Sequence, residues 1–157
     1  MLNENDKAPD FELLNDKGDK IKLSKLKGKT IVLYFYPKDD TSGCTKEAID
    51  FSDHLSDFAA IGAEVIGISP DSVQKHSKFR EKHGLAVTLL ADEEKKVLNT
   101  YGVWVEKSMY GRSYMGVERS TFLIGADGKI AHIWRKVKVT GHVKTVLEAA
   151  KQLQSHK

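Results

Sequence analysis

The chain has 157 residues with 40% hydrophobic content, enough for one globular domain with an ordinary core and too short for two. Its net charge is +3, with basic residues spread along the chain and never clustered in a long run, which describes a solvated surface and argues against nucleic-acid binding. The opening Met1-Leu2-Asn3-Glu4-Asn5-Asp6-Lys7 lacks an apolar signal core and no apolar stretch approaches the roughly 20 residues that span a bilayer, so no membrane association is expected and the expected location is cytoplasmic.

Ala8 to Leu23 is expected to be a β-hairpin appended to the core, Phe11-Glu12-Leu13 and Ile21-Lys22-Leu23 alternating on either side of Asn15-Asp16-Lys17-Gly18. Thr30 to Tyr36 is apolar, β-branched and aromatic, the composition of an interior strand covered on both faces, and Pro37 ends it. After a polar loop, Ala48, Phe51, Leu55, Phe58 and Ala59 recur at helical spacing, which predicts a helix from an N-cap at Thr41 or Ser42 to about Gly62. Glu64 to Ser69 is a second buried strand, Pro70-Asp71-Ser72 opens a helix through His83, and Gly84 closes it. Thr88 to Leu90 reads as a short strand, and Asp92 as the cap of a helix through Tyr101. Val103 to Val117 contains Gly111, Gly116 and few periodic apolar positions, and is expected to be a loop. Ser120 to Ile124 and Ile130 to Val137 are strands joined by a turn at Ala126-Asp127-Gly128-Lys129, and His142 to Gln154 is a helix with Val143, Val146, Leu147 and Ala150 on one face. Alternating strands and helices, then a hairpin and a helix, imply one three-layer α/β domain over residues 1–157 with a central mixed β-sheet flanked by helices. No strong apolar surface stripe is expected once the core is assigned, which favours a monomer over a dimer.

Cys44 is the only cysteine in the sequence, which rules out an intramolecular disulfide and suits a reducing compartment. The predicted elements place it in the first turn of a helix, where unpaired backbone N–H groups and the positive end of the helix dipole favour an anion. The thiolate is the nucleophilic form of cysteine, so this is a place for a reactive sulfur, although the usual fate of a lone intracellular cysteine is to be a small buried hydrophobe.

The surrounding residues carry more information. Pro37-x-x-x-Thr41-x-x-Cys44 resembles the active-site signature of the peroxiredoxins. The longer Phe35-Tyr36-Pro37-Lys38-Asp39-Asp40-Thr41-Ser42-Gly43-Cys44-Thr45 resembles their bacterioferritin comigratory protein or Q-type branch, as do Tyr101-Gly102-Val103-Trp104, Arg119-Ser120-Thr121-Phe122-Leu123-Ile124 and Lys136-Val137-Lys138-Val139. The resemblance covers nearly the whole chain and implies a thioredoxin-like fold and a thiol peroxidase. Members of the branch usually have proline where this chain has Ser42, and many carry a resolving cysteine where it has Ile49. A one-cysteine enzyme is therefore implied, reducing hydrogen peroxide and organic hydroperoxides without a cofactor and recycled by an external thiol: thioredoxin, glutaredoxin or a small thiol.

By the same resemblance Cys44 is the nucleophile that becomes a sulfenic acid, Thr41 contacts the peroxide through its hydroxyl, and Pro37 shields the sulfur from water. The backbone N–H groups of Gly43 and Cys44 sit at the helix start, where they can bind the peroxide. Arg119 precedes an apolar strand, an odd place for a charge unless it reaches the site, where a guanidinium would stabilise thiolate and departing oxyanion. Glu47, one turn after Cys44, either joins a network with Arg119 or faces water. Tyr34, Phe35 and Trp104 are expected to pack the core or line the site. The histidines show no metal-ligand spacing with Cys44, since His76 and His83 are seven apart and His132 and His142 ten apart, so no metal is expected. The competing reading from another class is a non-catalytic redox sensor or chaperone acting through Cys44.

Overall fold

Strand β3 (Thr30–Phe35) lies at the centre of the molecule, and all six of its residues are buried. Its side chains alternate between the two faces of the sheet. Val32 and Tyr34, with Tyr36 just beyond, enter one core cluster, while Ile31, Leu33 and Phe35 enter the other. Two buried faces on one strand are what its unbroken apolar run requires. The computed structural model describes residues 1–155.

Beside β3 runs β4 (Ala63–Ser69), parallel to it from Thr30 opposite Ala63 to Phe35 opposite Ile68. On its other side β8 (Ser120–Ile124) pairs antiparallel, and β9 (Ile130–Trp134) pairs antiparallel with β8. With β5 (Thr88–Ala91), β1 (Glu12–Asn15) and β2 (Lys20–Lys22), the sheet has seven strands in the order β2-β1-β5-β4-β3-β8-β9. One face is covered by α1 (Ser42–Asp53), α2 (Leu55–Ala60), α3 (Val73–His83) and α5 (His142–Ser155), which contribute Phe51, Phe58, Phe79 and Val146. The other face carries α4 (Lys96–Thr100), with Leu98, together with Phe11 and Tyr101. The expected three layers and mixed sheet are present.

Several local expectations are corrected. The N-terminal hairpin is part of the main sheet, because β1 pairs antiparallel with β5 at Leu14–Ala91 and Asn15–Leu90. The predicted helix from Thr41 to Gly62 is two helices. At His54 the ring Nδ1 lies 2.8 Å from the Asp50 carbonyl and takes the place of the backbone amide, which donates to Phe51 O instead, so the helix bends there. Residues Val103 to Val117 hold a two-stranded hairpin, β6 (Trp104–Met109) and β7 (Arg112–Val117). Its turn has positive φ at Tyr110 (53°) and Gly111 (77°), the twist that a two-residue hairpin loop needs. Met109, Tyr110, Tyr114 and Met115 are exposed on it, so the expectation that no apolar stripe remains outside fails here. Helix α4 begins later than expected, at Lys96, although Asp92 does hold its start by accepting from Leu98 N at 2.8 Å. Strand β9 stops at Trp134, short of Val137.

Candidate active site

Cys44 lies in the first turn of α1, behind an N-cap at Thr41 with extended backbone (φ −95°, ψ 155°). The first backbone bond of this turn runs from Thr45 N to Thr41 O at 2.8 Å, so the amides of Ser42, Gly43 and Cys44 precede it and face outward from the helix start. Gly43 has a steric reason: a Cβ there would sit 3.2 Å from Arg119 Nη2, so the absence of a side chain lets the guanidinium lie against the turn.

Arg119 reaches the same place from the short connection between β7 and β8. Its Nη2 donates to Cys44 Sγ at 3.2 Å, and its Nη1 donates to Glu47 Oε1 at 2.7 Å. One planar fork therefore spans a sulfur and a carboxylate one helical turn apart. Burial opposes the charge on Arg119, but Glu47 and Cys44 outweigh it, and the guanidinium pKa is raised. Glu47 is wholly buried. Burial lifts its carboxyl from 4.5 to about 7, against the lowering pull of Arg119. Its second oxygen, Oε2, has no hydrogen-bond partner among the described residues, and neither has the buried hydroxyl of Tyr34. Burial, followed by the charge of Glu47, holds that phenol well above its usual range, so it stays protonated.

Thr41 behaves differently from the expected cap. Its hydroxyl caps no amide; it donates to Lys38 O at 2.8 Å, folding back over the loop. The hydroxyl hydrogen is thereby committed, and what the oxygen still offers is its acceptor lone pairs. The structure thus joins Arg119, Glu47 and Gly43 to Cys44 through direct neighbours, and Thr41 through the helix start. Pro37, half-buried, is linked to the sulfur only by the loop it opens. Tyr34 and Phe35 are core residues, whereas Trp104 is half-buried with Lys95 Nζ 5.4 Å from its ring centroid.

A second polar cluster beneath this loop was not legible in the sequence. Asp39 Oδ1 accepts from Tyr36 OH at 2.6 Å, and Asp39 Oδ2 lies 2.6 Å from His76 Nδ1. Asp39 N donates to Asp71 Oδ2 at 2.8 Å, and Ser69 Oγ donates to the same oxygen at 2.7 Å. Histidine pair spacing gave no hint of it, because the partners are far apart in sequence. Candidate metal-ligand atoms of Asp39, Asp71 and His76 lie within 4.8 Å of one another, but these residues already bond one another and their neighbours in a closed network. Further round the site, His142 Nε2 lies 2.8 Å from Thr121 Oγ1, and burial, then Arg119, pushes its pKa down to about 4, so the ring is neutral.

The family model described as the AhpC/TSA family matches residues 5–133. The chain belongs to this peroxiredoxin family. It is 54% identical over 147 residues to peroxiredoxin Bcp of Bacillus subtilis, covering 94% of each chain. Among solved structures, peroxiredoxin Q of Xanthomonas campestris is 42% identical with a TM-score of 0.88, over 92% of this chain and 91% of that one. The bacterioferritin comigratory protein of the same organism, studied for alkyl peroxide reduction in trapped intermediate and ligand complexes, is 41% identical with a TM-score of 0.88, over 92% of each chain. The fold is therefore thioredoxin-like, and this peroxiredoxin is a thiol-dependent peroxidase. Among the described residues no helix is long and apolar enough to cross a membrane.

Proposed function

We propose that Cys44 is the peroxidatic nucleophile of a one-cysteine peroxidase, and the observation that carries this reading is the Arg119 guanidinium held 3.2 Å from its sulfur by a buried carboxylate. The thiolate attacks one oxygen of the hydroperoxide, the O–O bond breaks, and the second oxygen leaves as hydroxide or alkoxide, which takes up a proton. Cys44 is left as a sulfenic acid. Arg119 is placed to hold negative charge on sulfur before attack and on the departing oxygen after it. The amides of Gly43 and Cys44 offer donors to the peroxide at the helix start and Thr41 offers an acceptor for its O–H, while for Pro37, which opens the loop, the shielding of the sulfur rests on the family resemblance alone. Glu47 fixes the plane of the guanidinium.

Hydrogen peroxide and organic hydroperoxides are the proposed substrates, the latter supported by the alkyl peroxide reduction studied in the Xanthomonas campestris relative. Since the sequence holds one cysteine, the sulfenic acid condenses with an external thiol, releasing water, and a second thiol then releases Cys44 and a disulfide. Thioredoxin, glutaredoxin or a small thiol can fill that role. Cys44 is only 1% exposed, so a reductant larger than a peroxide needs the first turn of α1 to give way. A monomer in the cytoplasm is the proposed setting, a lone thiol suiting a reducing compartment.

Stopped-flow measurement of peroxide consumption tests the reading. Cys44→Ser is expected to abolish it and Arg119→Met to slow it by about a hundredfold. A Cys44→Ser protein that consumes peroxide at the wild-type rate would end the proposal.

A further inference from the structure

We propose that His76, a buried residue of α3 that touches neither sulfur nor substrate, is the positioning residue for the peroxide side of the site, acting through Asp39 and the Lys38–Asp39 peptide on the Thr41 hydroxyl. The inference deepens the reading above and rests on its assignment of Thr41 to the substrate.

The loop between Pro37 and Thr41 forms no helix or strand and includes Asp40 at a φ of 62°, a conformation that costs energy for a residue with a side chain and persists only where the surroundings impose it. The restraint comes from α3. His76 is fully buried, and its Nε2 lies 2.9 Å from Leu90 O. A carbonyl can only accept, so this nitrogen carries a hydrogen and the ring orientation is fixed. Its Nδ1, 2.6 Å from Asp39 Oδ2, then shares one further proton with that carboxyl. Toward the end of α3, Lys82 Nζ and His83 Nε2 hold Asp40 at 2.7 and 2.8 Å.

Asp39 is consequently pinned at three points: one oxygen by His76, the other by Tyr36 OH, and its amide by Asp71 Oδ2. That amide belongs to the same planar unit as the Lys38 carbonyl, so fixing the N–H fixes the direction of the C=O. Lys38 O is the acceptor for Thr41 Oγ1. A rotated peptide would release the hydroxyl hydrogen and turn its lone pairs away from the peroxide O–H. The whole route, from Leu90 O through His76, Asp39 and Lys38 to Thr41, bypasses Cys44, Arg119 and Glu47. Loss of His76 should therefore impair peroxide orientation and spare the nucleophilicity of the sulfur, a separation that a general loss of structure would not produce.

Two rates on each variant read that separation: the second-order rate with hydrogen peroxide, which needs an oriented O–O bond, and the alkylation rate with iodoacetamide, which needs the thiolate and access past the first turn of α1 but no oriented O–O bond. His76→Asn is expected to slow peroxide reduction by about ten- to a hundredfold, as small misplacements of reacting groups do, with alkylation within about twofold of wild type. Thr41→Val should slow the peroxide reaction likewise, and His76→Asn with Thr41→Val should be no slower than Thr41→Val alone, since both act on one contact. Ser69→Ala, which loosens Asp71, should show the same separation in weaker form and serves if His76→Asn does not fold. Losses that multiply in the double variant, equal losses in both rates, or an unchanged peroxide rate in His76→Asn would each overturn the inference while leaving the Cys44 chemistry standing. An unchanged peroxide rate in Thr41→Val would instead remove the role assigned to Thr41 itself.

Discussion

Glu47 carries a charge that its surroundings resist. One oxygen takes the Arg119 bond, the other has no partner among the described residues, and burial holds the carboxyl near pH 7 with Asp50 adding to the rise. Between the ordinary value of 4.5 and about 7, the folded protein keeps a proton that the unfolded chain has lost. Stability contributed by this group is therefore greatest below that window, falls as pH rises through it, and is level above it, by roughly 3 kcal/mol in all. His142 acts in the opposite sense, because its folded value near 4 lies below 6.5 and stability rises with pH through that interval. The two overlap, so the comparison that isolates Glu47 is wild type against Glu47→Gln by urea denaturation from pH 4.5 to 8. Wild type should lose stability relative to the variant as pH climbs, and a difference that stays flat would show that the carboxyl is not held up. At this scale the sequence carried part of the site. The Arg-Ser-Thr-Phe string pointed Arg119 at Cys44, but a carboxylate one turn after the cysteine reads equally well as buried or as facing water. Only the packed structure decides for burial.

Strands β3 and β4 meet where Gly67 faces Tyr34. A Cβ on Gly67 would come within 2.6 Å of Tyr34 Cζ, and the ring cannot swing aside because it stacks on Phe51 at 4.6 Å and on Tyr36 at 5.5 Å. Gly67→Ala is expected to cost about 1–3 kcal/mol by overpacking, and Tyr34→Leu in the same chain to restore part of it. Equal urea midpoints for wild type and Gly67→Ala would refute the contact. Elements of this kind, buried on both faces, were the legible ones: the apolar runs of β3, β4 and β8 identify themselves, and Ser72 and Gly84 bracket α3 as their chemistry predicts. Elements whose cause is not hydrophobic burial were missed. The bend at His54 depends on a side chain competing for one carbonyl, and the β6–β7 hairpin shows no apolar alternation because much of both its faces meets water.

Across the whole molecule, long-range pairing was the least legible feature, and the N-terminal hairpin is its example. Nothing within Ala8 to Leu23 encodes a partner, yet β1 completes the sheet against β5 through two register pairs. So short an attachment needs support, and Arg80 supplies it. From α3 it holds the buried Asp16 of the hairpin turn through Nε at 2.6 Å and Nη2 at 3.0 Å, and it donates through Nη1 to Leu85 O at 2.7 Å and through Nη2 to Val87 O, on the segment that leads into β5. One guanidinium thus fastens the hairpin turn and the approach to β5 to a common point, aligning the two strands that must pair. Arg80→Met would keep much of the apolar stem but strand the Asp16 carboxylate and two carbonyls, at about 2 kcal/mol. The expected signature is local: native-state hydrogen exchange should quicken for the amides of β1 and β2, with those of β3 and β4 changing only by the global loss. Uniform acceleration over the whole sheet would mean that the hairpin and the central strands open as one unit, and protection unchanged in β1 would mean that the pairing with β5 stands without the clamp.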